Sequence, residues 1–393
     1  MAKRGLILVG LLILPIMIGI PERSWSQAVR GVTDTEILVG HWGPQTGPAA
    51  PWGSVARGTG LYFKGINDEG GIHGRKIKYF LRDDAYQPAK TKAIGKEFVE
   101  QIGVFAVVGG VGVAGGMTNR DYLMENRVIW VGPATGVHNW IDPFQKYLFP
   151  VYPLFDDEAY ALTQLFYEKM NFKKIAVFYQ NDDYGKQGLM GVERYLQEKK
   201  IDVLAKISSE VTDRDLSTHA VRLKNSGAEA VITWVNPTHG ALILGEAAKI
   251  GYKPQWGTTN GLSDAPMMMQ ITKGLWTGMI HSNFVETPDS DYPLMVKYRG
   301  WHQKYEPKER WGTFYSAGIL FGEPLVEGLK RAGKNLTVET FVQAMEGIKD
   351  FQGIGPPITF TPTDHQGGKH VFFGQVQPDG SIKKLTDWIK VTK

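Results

Sequence analysis

The chain has 393 residues, 42% of them hydrophobic and 21% charged, with 44 Lys and Arg against 40 Asp and Glu for a net charge of +4, and it contains no cysteine. That length predicts two domains, and a small charge without basic runs gives no reason to expect nucleic acid as a partner. The absent thiols exclude disulfides, cysteine nucleophiles, thiolate metal sites and an acylated-cysteine membrane tether.

From the N-terminus, Lys3 and Arg4 precede an apolar stretch from Gly5 to Ile20 broken by Pro15, and Ser26-Gln27-Ala28 sets small residues at the −3 and −1 positions of a cut. Residues 1–28 read as a secretory signal peptide, short of the ~20 apolar residues that a spanning helix needs. The expected location is therefore the periplasm, with cleavage after about Ala28 and no lipid anchor. From Glu36 to Trp256, short β-branched runs alternate with helix-length segments. Ile37–Val39, Lys76–Leu81, Phe105–Val108, Val128–Val131, Ile175–Tyr179, Ala230–Val235 and Gln255–Thr258 read as strands. Ser54–Asn67 and Pro88–Ile102 read as helices, the second with proline in its first turn, where a missing N–H costs nothing. Such alternation predicts parallel sheets wound by helices. It occurs twice, on either side of the linker Phe149-Pro150-Val151-Tyr152-Pro153. Helices near 290–304, 311–332 and 337–347 then break it, followed by strands near Ile358–Phe360 and Val371–Gln375.

Two similar lobes predict a cleft between them, and ligands of open parallel sheets lie beyond the carboxyl ends of the strands. Gly110-Val-Gly112-Val-Ala-Gly115 matches GxGxxG but follows the third strand, with no acid about 20 residues on; its helix N-terminus can instead hold an anion such as a carboxylate. No GxSxG or HExxH occurs, so no catalytic residue, metal site or cofactor is expected. The acidic pairs Asp83-Asp84, Asp156-Asp157-Glu158 and Asp182-Asp183 read as helix caps, while Tyr184 in the last of these turns is aimed at the cleft. Trp42 and Trp52 bracket a Gly- and Pro-rich loop after the first strand and predict an apolar wall there. Trp234 and Trp256 end strands of the second lobe.

Gln45-Thr46-Gly47-Pro48, Trp52-Gly53, the run Asn67-Asp-Glu-Gly70-Gly71-Ile72-His-Gly74-Arg75-Lys-Ile77, Arg82-Asp83-Asp84, Gly132-Pro133-Ala134-Thr135 and Asn181 to Gly185 resemble the type I periplasmic solute-binding proteins of ABC importers, in the branched-chain amino acid group. The resemblance implies an α/β fold of two doubly wound parallel-sheet lobes joined by a three-segment hinge, with 34–151 plus 285–353 in one lobe and 154–282 plus 356–393 in the other. It implies a ligand carboxylate held near Val113, Ala114 and Gly115 and by Ala134 and Thr135, an aromatic platform at Trp52, and a closing aromatic at Tyr184. Where amino-acid binders of this family carry an acid for the ligand amine, this sequence has Asn260, and the companion loop offers only Asn236. A buried ammonium without a carboxylate costs several kcal/mol, so the expected ligand is a small carboxylate, aromatic and without an amine, with a branched-chain amino acid or an amide as the alternative. The implied partners are the membrane subunits of an ABC permease, the expected state is a monomer, and a sensor acting on a receptor is the rival role.

Overall fold

A computed structural model describes Met1 and residues 29–391, so the leader at 1–28 lies, apart from Met1, outside the described residues. The first sheet consists of β1 (Glu36–Trp42), β2 (Lys76–Arg82), β3 (Ala106–Val108), β4 (Ile129–Val131) and β5 (Leu148–Phe149), all parallel, in the order β2-β1-β3-β4-β5. The central strands β3, Ala-Val-Val, and β4, Ile-Trp-Val, are buried at every position. They are apolar throughout because helices cover both faces of the sheet. Those helices include α1 (Gly53–Asp68), α2 (Pro88–Lys96, continued by a π turn to Ile102) and α3 (Val113–Glu125).

The chain crosses through 150–154 into α4 (Phe155–Gln164) and a second sheet. Its strands are β6 (Ile175–Gln180), β7 (Ala205–Ser209), β8 (Ala230–Trp234), β9 (Gln255–Thr258), β10 (Ile280–Asn283), β11 (His370–Val376) and β12 (Ile382–Lys384), in the order β12-β11-β10-β9-β8-β6-β7, with β13 (Ile389–Lys390) paired to β11. Strands β6 to β10 run parallel, whereas β11 and β12 join antiparallel. Helices α5 (Asp183–Glu198), α6 (Ser217–Ser226), α7 (Pro237–Lys249) and α8 (Ala265–Ile271) serve this sheet.

After β10 the chain returns to the first lobe with α9 (Pro293–Tyr305), α10 (Thr313–Ala332) and α11 (Val338–Glu346). Helix α10 lies directly on α1, and glycine makes that approach possible: a Cβ at Gly58 would stand 1.9 Å from the Tyr315 carbonyl oxygen, and one at Gly318 would stand 1.8 Å from that of Val55. The Thr59 hydroxyl donates to the Gly318 carbonyl at 2.7 Å across the same contact. The crossing segments are tied to one another by Gly367 N–H to Pro150 O at 2.8 Å and Glu286 N–H to Ile354 O at 2.8 Å.

Two local expectations change. The segment Ile358–Phe360 is not a strand; Ile358 makes a single bridge to Phe351, because Pro356, Pro357 and Pro362 remove the N–H groups that a ladder would need. Of the acidic pairs, only Asp182 caps its helix, accepting from Gly185 N–H at 3.1 Å. Asp156 and Asp157 instead each receive Arg194 at 2.6 Å, and α4 starts without a side-chain cap.

Candidate functional site

The loop after β1 is pinned from outside. Asp83, just past β2, accepts the Gln45 N–H at 2.9 Å and the Thr46 hydroxyl at 2.6 Å. Gln45 in turn donates to the Gly43 and Gly53 carbonyls, each at 3.2 Å. This fixes the short 3-10 turn Ala50–Trp52 that opens α1 and turns the Trp52 ring inward. Trp42, at the other end of the loop, is core: it is fully buried with its ring 5.2 Å from that of Trp130. Trp234 is likewise buried against Gly188, and Trp256 packs on Tyr252.

Between the lobes lies a cavity with about 540 Å³ of non-atom space, its open mouth included. Its wall is mainly aromatic, from Trp52, Tyr86, Tyr152, Phe155, Tyr184, Phe284, Phe314 and Phe321, and among the described residues no charged side chain lines it. Edge-to-face contacts hold these rings: Trp52 and Tyr184 at 5.8 Å and 87°, Phe155 and Tyr184 at 5.1 Å and 72°. The lobes also touch directly. The Trp52 indole N–H donates to Gly261 O at 2.7 Å, the Thr238 hydroxyl to Pro48 O at 2.8 Å, and Phe314 N–H to Asp264 Oδ2 at 3.1 Å.

The polar groups at the wall are few. Gly112, at φ 103°, precedes α3 without a side-chain cap, and Val111, Gly112 and Val113 line the cavity. The first N–H groups of a helix have no intrahelical acceptor and carry partial positive charge. Gly110 explains the glycine motif on packing grounds: it sits at φ 88°, and a Cβ there would meet the Trp42 ring at 2.7 Å. A bridge from Val111 to Ala134 sets Ala134 and Thr135 beside this helix end. The Trp140 indole N–H, which can only donate, reaches Thr135 Oγ1 at 3.0 Å. The Thr135 hydroxyl is therefore the acceptor there, and its own proton is free for another partner. Across the cleft, Tyr184 brings a buried hydroxyl that has no hydrogen-bond partner among the described residues. Burial drives its pKa well above the ordinary phenol value, so it is a neutral donor.

Asn260 also lines the cavity and is held on both sides. The Tyr152 hydroxyl donates to its Oδ1, while its Nδ2 donates to Glu158 Oε2 at 2.8 Å and its backbone N–H to Glu158 Oε1 at 2.7 Å. Ser282 donates its hydroxyl to the same carboxylate. Glu158 is fully buried, and desolvation pushes its pKa up to about 7.

Trp52, Val113, Ala134, Thr135, Tyr184 and Asn260 thus share one cavity. Three expected site residues do not. Ala114 faces solvent on the outer side of α3, and Gly115 packs against Thr91 of α2, where a Cβ would lie 2.7 Å from the Thr91 hydroxyl. Asn236 caps α7, accepting from His239 N–H at 3.0 Å and donating to Gln180 Oε1 at 2.9 Å. Sequence reasoning missed Tyr86, Tyr152, Phe155, Phe284, Phe314 and Phe321 in the wall, and Glu158 behind it. Phe284 directly follows β10, so the strand-end rule had the signal for it.

The architecture is shared with solved structures. A branched-chain amino acid ABC transporter protein from Thermus thermophilus with bound valine superposes with TM-score 0.83 at 19% identity, covering 91% of this chain and 97% of that one. A fatty acid ABC transporter substrate-binding protein from Thermomonospora curvata gives TM-score 0.84 at 22% identity, over 93% and 95% of the two chains. In sequence, the chain is 25% identical over 313 residues to the Leu/Ile/Val-binding protein homolog 1 of Brucella abortus, covering 78% of this chain and 82% of that protein. The Leu/Ile/Val-binding protein homolog 2 of the same organism is 26% identical over 341 residues, 85% and 88% of the two. The two-lobed α/β body with a cavity between its lobes fits the family profile described as periplasmic binding protein, which matches residues 36–381, and the chain belongs to that family.

Proposed function

We propose that the protein is the solute-binding subunit of an ABC importer and captures a small acid with an aromatic body between its lobes. The observation that carries this reading is the composition of the wall: rings on most sides, hydrogen-bond donors at the α3 N-terminus, Thr135 and Tyr184, and no carboxylate facing the cavity. A carboxylate with two or three charge-assisted hydrogen bonds can be enclosed without a counter-charge, and the rings match a flat apolar body. A micromolar dissociation constant corresponds to about 8 kcal/mol, within reach of a ligand of that size. Under this reading the bodies that close on the ligand are 34–151 with 285–353 and 154–282 with 356–391, turning about the three crossing segments. The closed monomer, exported to the periplasm, then docks on the permease. No step of bond chemistry is involved.

The names of the relatives from Brucella favour a second reading, a branched-chain amino acid. A thermal-shift panel separates the two: benzoate and 4-hydroxycinnamate are expected to raise the melting temperature and leucine to leave it unchanged. A shift with leucine alone sinks the aromatic-acid reading and leaves the amino-acid one.

A further inference from the structure

The cavity has no acid on its surface, yet a carboxylate lies one layer behind it. Glu158, on α4, is fully buried, and the groups around it are donors: Asn260 N–H at 2.7 Å, Asn260 Nδ2 at 2.8 Å and the Ser282 hydroxyl. This is the surround of an ionised carboxylate, which can only accept. No cation among the described residues contributes to its environment. Buried charges are ordinarily paired with an opposite charge, so a carboxylate held by neutral donors alone calls for an explanation. The orientation of the Asn260 amide follows from its partners: the acid can take only the NH2 side, which leaves Oδ1 for the Tyr152 hydroxyl.

We infer that Asn260 masks Glu158, occupying with its amide nitrogen the place where a ligand ammonium would sit, and that this pair is the determinant that rejects amines from the site. The inference rests on the carboxylate-ligand reading above for the rest of the site. An ammonium nitrogen at the Nδ2 position would lie 2.8 Å from Glu158 Oε2, a normal charge-assisted distance. With Asn260 in place, that position is filled by a neutral group that already spends a proton on the acid, and an incoming ammonium loses its hydration without finding a carboxylate to pair with. Glu158 therefore acts on specificity through Asn260 and is a positioning residue. Shortening residue 260 uncovers the carboxylate without dislodging it, because the backbone N–H of residue 260 and the Ser282 hydroxyl still hold it.

The test uses two ligands that differ only in the α-ammonium group, 3-phenylpropionate and L-phenylalanine, titrated calorimetrically at pH 8 against the wild type, Asn260→Ala, Asn260→Ser and the double variant Asn260→Ala/Glu158→Gln. The expected wild-type preference for 3-phenylpropionate is about a hundredfold. In Asn260→Ala and in Asn260→Ser the ratio is expected to move at least tenfold toward L-phenylalanine, and the double variant is expected to lose that gain. Equal wild-type affinities overturn the mask, and that arm is readable even if a variant fails to fold. No gain in either single variant, or a gain that survives Glu158→Gln, overturns it as well. Failure of 3-phenylpropionate and benzoate to bind the wild type, with L-phenylalanine still gained on shortening residue 260, overturns the aromatic-acid reading and upholds the mask.

Discussion

On the side of the first sheet, the cleft wall is made selective with partial charges: the uncapped start of α3 and a Thr135 hydroxyl that accepts from Trp140 and keeps its own proton to donate. On the side of the second sheet, a carboxyl that ionises near pH 7 is withdrawn behind Asn260, and the donor is the buried Tyr184 hydroxyl. The first arrangement costs little when the cleft is open, since water can satisfy N–H and O–H groups. The second stores a desolvated carboxylate in the fold whether or not ligand is bound. The difference teaches that a site can be acid-free at its surface and still carry an acid's electrostatics, so lining residues alone do not define its chemistry.

The largest test of this comparison removes the residue that belongs to both sides. Trp52→Ala deletes a ring of the wall and the indole bond to Gly261 together; affinity for an aromatic acid is expected to fall by about 3 kcal/mol, more than a hundredfold, by calorimetry. Loss below tenfold would mean that the ring is packing and not platform. The next test is pH. Glu158 and Glu323 of α10, which accepts the Tyr298 hydroxyl at 2.9 Å and Ile354 N–H at 3.0 Å, are both pushed up to about 7 by burial. Each binds its proton more tightly folded than unfolded, so the stability each adds is fully present below about 4.5 and is lost as pH rises through about 7. Urea denaturation is expected to show stability falling between pH 5 and pH 8 by up to about 3 kcal/mol per group. Glu323→Gln should flatten its share of that slope without changing ligand preference. An unchanged slope would remove the stored-charge argument.

The smallest effects come from the donors. Thr135→Val is expected to weaken carboxylate binding about tenfold, with Thr135→Ser restoring it. Tyr184→Phe should weaken binding about fivefold while leaving the melting temperature equal or slightly raised, since it removes a buried hydroxyl that has no partner. A melting temperature lowered in step with affinity would mark Tyr184 as structural.

Local patterns carried the parallel strands and most helices, because β-branched runs buried on both faces look the same in sequence and in space. Trp52 was legible for a similar reason: a loop dense in Gly and Pro has few conformations. Tyr152 was not, since in sequence it is one residue of a proline-flanked linker and only the crossing of the segments turns it into the cavity. Glu158 was hidden by its neighbours: Asp156-Asp157-Glu158 reads as one acidic helix start, yet two members meet Arg194 on α5 and the third meets a turn 102 residues away. The expectation for Ala114 and Gly115 rests on their backbone N–H groups at the start of α3, and spacing from a motif does not tell which of the first-turn residues also line the cavity, as Val113 does.

The close approach of α1 and α10 at Gly58 and Gly318 has a mechanical consequence. With no room for a methyl group at Gly58 or Gly318, the two helices pack as one plate that carries Trp52 at one end of α1 and Phe314 and Phe321 along α10. Within this lobe, a wider or narrower ligand is then met by rotation of aromatic side chains and not by sliding of α1 past α10. On this side of the gap the jaw of the caliper is set by packing, and its fine adjustment is left to the rings.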